Sequence, residues 1–148
     1  MDDQKSDYEE KKGIIGRFYE NDFPVIVSFI NELPTTEIKD KFQTLVVISW
    51  SYNGVGNNGM PFKKENDRMI LLEDLIMGAD ALEKTFVNAY NRTGNNLKEF
   101  IFYCETQKEF MKMLNVLLKN YERFPIEIKF YQDKEWSEFN RLLKDFNK

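Results

Sequence analysis

The run from Phe42 to Tyr52, FQTLVVISWSY, constrains the fold more than any other part of this 148-residue chain. Its centre, Leu45 to Ile48, is apolar at every position, so an extended chain there buries both of its faces. Such a strand belongs in the interior of a sheet, and the segments around it must supply neighbours on both sides. Residues 13–20 (GIIGRFYE) and 24–31 (PVIVSFIN) are β-branched and aromatic, and Asn21-Asp22-Phe23 between them predicts a hairpin. The stretch after Pro34-Thr35-Thr36 reads as a charged connection.

Beyond the central run, a Gly/Asn loop at 53–61 leads to a helix predicted over 63–83, where Met69, Leu72, Leu75, Ile76, Ala79 and Leu82 recur at helical spacing. Residues 85–91 and 97–104 bracket Arg92-Thr93-Gly94-Asn95-Asn96 and form a second hairpin. Thr106 and Glu109 have capping-box spacing, and Phe110, Met113, Leu114, Leu117 and Tyr121 define the apolar face of the helix that follows. Pro125 ends it, Ile126, Ile128 and Phe130 alternate as a half-buried strand, and Asp133 caps a last helix striped by Trp136, Phe139, Leu143 and Phe146. From residue 42 onward the order is βαββαβ plus a closing helix. The fold class is therefore α+β: a ferredoxin-like antiparallel sheet of four strands with two helices on one face, which the N-terminal hairpin extends or covers. Residues 1–10 hold five acids and one lysine and read as a frayed acidic tail, leaving 11–148 as a single domain with balanced charge.

Composition then removes function classes. The chain has no histidine and one cysteine, Cys104, which excludes Ser-His-Asp and Cys-His catalysis, histidine-bearing zinc sites and an internal disulfide. Cys104 reads as a buried structural thiol. A balanced body gives no broad field for nucleic acid, and no apolar segment is long enough for export or a membrane span, so a cytoplasmic address is expected. Gly54-Val55-Gly56-Asn57-Asn58-Gly59 spells G-x-G-x-x-G between a strand and a helix. Pro61, however, starts the helix after the motif, and no acid ends the next strand, so the glycines read as a loop and no cofactor is expected. Glu65, Asp67, Glu73, Asp74 and Asp80 line the first helix without metal-ligand or acid/base spacing, so neither a metal nor a catalytic residue is assigned. Phe100, Phe102 and Tyr103 beside Lys98 offer a weak RNA-stacking pattern, with core packing as the ordinary alternative.

Ser49-Trp50-Ser51-Tyr52, Gly59-Met60-Pro61, Glu65 with Leu72-Glu73, Phe102-Tyr103 and Asp133-Lys134-Glu135-Trp136 occur in an order that resembles the bacterial family catalogued as domain of unknown function 695. Met60 stands where the family pattern has leucine, and Phe139 where it has tyrosine. The resemblance implies a ferredoxin-like domain, related in fold to the regulator of ribonuclease E activity B, and names no reaction. The function expected is a non-enzymatic module that binds another protein, with Trp50, Tyr52, Pro61, Glu65, Tyr103 and Trp136 as the candidate surface. The alternatives are a small-ligand or hydrolytic enzyme with Glu65 as its acid near the 53–65 loop, and an RNA-binding domain.

Overall fold

The computed structural model describes residues 13–30, 32–83 and 85–146, and of 80–83 the backbone alone. The acidic segment 1–10 and the side chains of Asp80 and Leu82 lie outside the described residues. Six strands form one sheet: β1 (Ile14–Glu20), β2 (Phe23–Phe29), β3 (Thr44–Ser51), β4 (Phe86–Gly94), β5 (Leu97–Cys104) and β6 (Glu127–Gln132). Their spatial order is β1-β2-β4-β5-β3-β6, and every neighbouring pair is antiparallel. The apolar run 42–52 thus supplies an interior strand, paired with β5 on one side and β6 on the other. The N-terminal hairpin extends the sheet, because β2 pairs with β4.

Both hairpin turns are two-residue loops built from side chains that tolerate the left-handed region. Asn21 and Asp22 have φ of 51° and 68°, and Asn95 and Asn96 have φ of 51° and 67°, the signs a type I′ turn requires. The strands consequently run closer to the turns than spacing predicts: Phe23 pairs with Glu20, and Gly94 with Leu97.

Among the described residues four helices pack on the sheet, two on each face. Helices α2 (Lys63–Glu83) and α3 (Gln107–Leu118) cover one face over Val46, Ile48, Trp50, Phe100 and Phe102. Here α2 buries Met69, Leu72 and Ile76, and α3 buries Phe110 and Leu114. Phe86 meets Phe102 at 5.5 Å and 86°, and Phe110 at 5.6 Å and 82°, edge-to-face contacts each worth about 0.5–1.5 kcal/mol beyond their buried area. Thr106 caps α3, its hydroxyl accepting from the Glu109 N–H at 3.1 Å. The helix stops at Leu118, so Tyr121 is not on its apolar face and is exposed.

Residues 36–41, read as a connection, form a short helix α1 (Thr36–Lys41) capped by Thr35 on the other face, and the closing helix α4 (Ser137–Phe146), which the sequence pattern assigned to neither face, packs there too. Alternation along β5 requires it: Phe100, Phe102 and Cys104 point to one face, leaving Ile101 and Tyr103 to be covered from the other. Cys104 is buried, and burial pushes its thiol up to about 12, so at neutral pH it remains an uncharged core group.

Candidate ligand-binding site

The glycine loop folds onto itself. Asn57 and Gly59 donate their N–H groups to the Gly54 carbonyl at 2.9 and 3.1 Å, Met60 donates to Asn57 at 3.0 Å, and Gly54 donates to the Asn96 side chain at 2.8 Å. These donors face inward, whereas a phosphate cradle needs them free. A Cβ on Gly54 would stand 2.6 Å from the Gly59 carbonyl carbon, and Gly59 has φ of +78° against the Phe23 ring, so the glycines serve a tight loop. Helix α2 begins at Lys63, beyond Pro61.

Four of the six residues expected at the surface are buried, and all six have structural partners or positions. Tyr52 donates its hydroxyl to the Gly59 carbonyl at 2.6 Å and, through its N–H, bonds the Asn96 carbonyl at 3.0 Å, tying the loop to the β4–β5 turn. Half-buried Pro61 accepts from the Asn57 amide at 3.0 Å. Trp50 is buried and donates Nε1 to Glu65 at 3.0 Å, while the Arg68 guanidinium lies 4.5 Å from the Phe124 ring centroid. Glu65 thus accepts the indole N–H, and its neighbour Asp67 is paired with Lys63 at 2.9 Å. Tyr103 and Trp136 are buried against each other with ring centroids 3.9 Å apart and planes 6° from parallel. Trp136 Nε1 donates to the Phe42 carbonyl at 2.7 Å, and the Tyr103 hydroxyl donates to Asp133 at 2.7 Å. Asp133 also accepts from the Ser137 and Glu138 N–H groups at 2.8 and 3.1 Å, which caps α4. Burial alone would raise the Asp133 carboxyl, but these hydrogen bonds outweigh it and hold its pKa below the ordinary value. Trp136 sits at φ 55°, a strained conformation for a bulky side chain that this web of contacts enforces. The pattern Asp133-Lys134-Glu135-Trp136 is thus a latch that fixes α4 to the sheet. With Phe100 and Tyr103 both fully buried, no ring of this strand is presented to a base, which removes the basis of the RNA reading.

A different place collects charge. On the α4 face the register sets Gly16, Val27, Arg92, Glu99, Ser49 and Glu127 in one row across the six strands. A bulge between Asn88 and Tyr90 re-aims β4 so that Tyr90 and Arg92 share this face, while Asn88 and Asn91 bond each other at 3.0 Å. Gly16 leaves room for the Phe146 ring, which would lie 2.2 Å from a Cβ there. Phe146 also meets Phe29 at 5.2 Å and Phe18 at 6.4 Å. The result is an open cavity of about 600 Å³ walled by Phe18, Leu142 and Phe146 and lined by Tyr90, Arg92, Glu99, Glu138 and Arg141.

Most of these charges are already answered. Arg92 is bidentate to Glu20 at 3.2 and 3.3 Å and also donates to the Gly94 carbonyl, although its buried Nε has no acceptor. The Arg92 hydrogen bond, then that of Asn95, holds the Glu20 carboxyl below its usual range. Glu138 accepts from Tyr90 at 3.1 Å and from Arg141 at 2.6 Å, and burial, reinforced by Glu138, pushes the Tyr90 hydroxyl well up. Glu99 is the exception. Among the described residues its carboxylate accepts from the Ser49 hydroxyl alone, at 3.4 Å, and no lysine or arginine forms an ion pair with it. Burial raises its pKa, partly opposed by the field of Arg92. Among the described residues, no three Asp, Glu or Cys side chains converge on a metal position.

None of these cavity residues stood out by spacing. The available signal was Glu99 on the same strand face as Ile101 and Tyr103, a charge where alternation calls for an apolar residue. Tyr90 and Arg92 join it through the bulge, and Glu138 from a distant helix, which linear spacing does not encode.

The fold and site define an α+β domain with an antiparallel sheet and a charged cavity between its N-terminal hairpin and α4. The chain belongs to DUF695, a family of unknown function, whose model matches residues 18–143. No curated protein and no solved structure gives a significant match. No helix is long and apolar enough to cross a membrane, among the described residues.

Proposed function

We propose that this protein is a non-enzymatic recognition module that binds another protein, and that the cavity between β1–β2 and α4 receives a side chain of that partner. The carrying observation is the cavity itself, about 600 Å³ and solvent-open, with the unpaired Glu99 carboxylate in its lining. The arrangement favours binding over catalysis because the neighbouring carboxylate, Glu138, is already held by Tyr90 and Arg141, which leaves no acid/base pair poised on a substrate. The order β4-β5-β3-β6, with α2 and α3 on one face, supports reading these elements as a ferredoxin-like βαββαβ unit, with the hairpin and α4 as additions that build the site. A bacterial, cytoplasmic setting and kinship with the regulator of ribonuclease E activity B are part of the same proposal.

The test is an NMR screen of uncharged, cationic and anionic fragments against the full chain. Shifts concentrated at Tyr90, Glu99 and Leu142, and lost when Leu142→Trp fills the space, are expected. Shifts clustered on α2 and α3 instead, or turnover of any fragment, would overturn the proposal.

A further inference from the structure

The cavity lining is balanced in charge, with Glu99, Glu138 and Asp145 beside Arg17, Arg92 and Arg141, so what matters is which of these groups are already engaged. Arg92 is neutralised by Glu20 and Arg141 by Glu138, while Arg17 stands exposed on an edge strand, where water screens it. Glu99 is different because its carboxylate is partly desolvated and, among the described residues, forms no ion pair, its cross-strand neighbour Arg92 being held by Glu20, and an ion pair made there forms in a lower dielectric than one at Arg17. An anion placed in the cavity would face Glu99, while Arg92 and Arg141 already hold carboxylates and the buried Arg92 Nε alone has no acceptor. The wall opposite is apolar, formed by Phe18, Leu142 and Phe146, and suits an alkyl stem.

Resting on the reading of this cavity as the recognition site, we propose that the entering group is a lysine or arginine side chain of the partner protein, its cationic head paired with Glu99 and its stem lying along Phe18 and Phe146. The Tyr90 ring, on the same lining, offers the head an aromatic neighbour. The partner segment is therefore basic, and the match is made by charge complementarity.

Acetylated, amidated Gly-Arg-Gly and Gly-Lys-Gly are titrated into the full chain by NMR, beside the same peptide with citrulline, which keeps the shape of arginine and removes its charge. Both basic peptides are expected to shift the Tyr90 and Glu99 signals. The citrulline peptide should bind at least tenfold more weakly to the unaltered protein, and Glu99→Gln should weaken the basic peptides by a similar factor while leaving the rest of the spectrum in place. Equal binding of citrulline and arginine, or undiminished binding by a folded Glu99→Gln, would overturn the cation assignment and leave the cavity reading intact. Failure of every peptide to shift the cavity signals would overturn the cation assignment, and the fragment screen then decides whether the cavity is a site at all.

Discussion

The two faces of the sheet solve the same burial problem differently. Beneath α2 and α3 the contacts are mainly aromatic and aliphatic, with Phe86 edge to face on both Phe102 and Phe110 and those two rings tilted at 45° to each other, and with Glu65 and Arg68 at the margin on Trp50 and Phe124. Beneath α4 half of the face is a latch, Tyr103 on Trp136 with Asp133 behind them, and the other half is the charged row through Arg92 and Glu99. Half-burying a carboxylate that forms no ion pair costs stability, and the proposed function accounts for Glu99 on this face as a residue that receives a ligand.

Substitutions can break this contrast, and the largest effects belong to the structural elements. Trp136→Ala removes the stack on Tyr103 and leaves the Phe42 carbonyl without its donor; we expect a loss of about 3–5 kcal/mol in urea unfolding, comparable to Phe102→Ala on the dry face. A loss below about 1 kcal/mol would mean that α4 is not latched. Asp133→Ala comes next, at about 1–2 kcal/mol, since it removes the cap of α4 and the acceptor of Tyr103. Its pH dependence follows from the lowered pKa: the contribution is complete above the unfolded-state value and disappears as pH falls through the folded-state value. The acid limb of the stability curve should therefore be flatter in the variant, and an unchanged limb would contradict the capping role. Gly59→Ala forces a side chain to φ +78° and toward the Phe23 ring, with an expected cost of about 1–2 kcal/mol by thermal unfolding.

How much of this could be read in the chain differs between the two faces. Helices α2 and α3, the interior strand and both hairpins follow from periodicity, capping residues and Asn-rich turns, because those signals act between residues near in sequence. Helix α1, at six residues, is too short to show a period. The face taken by α4 depends on which side of β5 remains uncovered, a tertiary matter. Trp50, Tyr52, Tyr103 and Trp136 suggested a surface because their polar tips suit interfaces, yet each tip found a partner inside the protein. The charged row is assembled by strand register and by one bulge, and neither is written in local spacing.

The smallest stability effect tests the central claim most directly, that Glu99 is retained for binding rather than for folding. Its raised pKa means that the ionised form is the less stable one in the folded state, so stability associated with protonation is present below the unfolded pKa and lost as pH rises through the folded pKa. Glutamine mimics the protonated form. Thermal unfolding of Glu99→Gln at pH 7 should give a Tm equal to or above that of the unaltered protein, with the difference vanishing near pH 4. A Tm several degrees lower at pH 7 would contradict the claim and make Glu99 part of the scaffold.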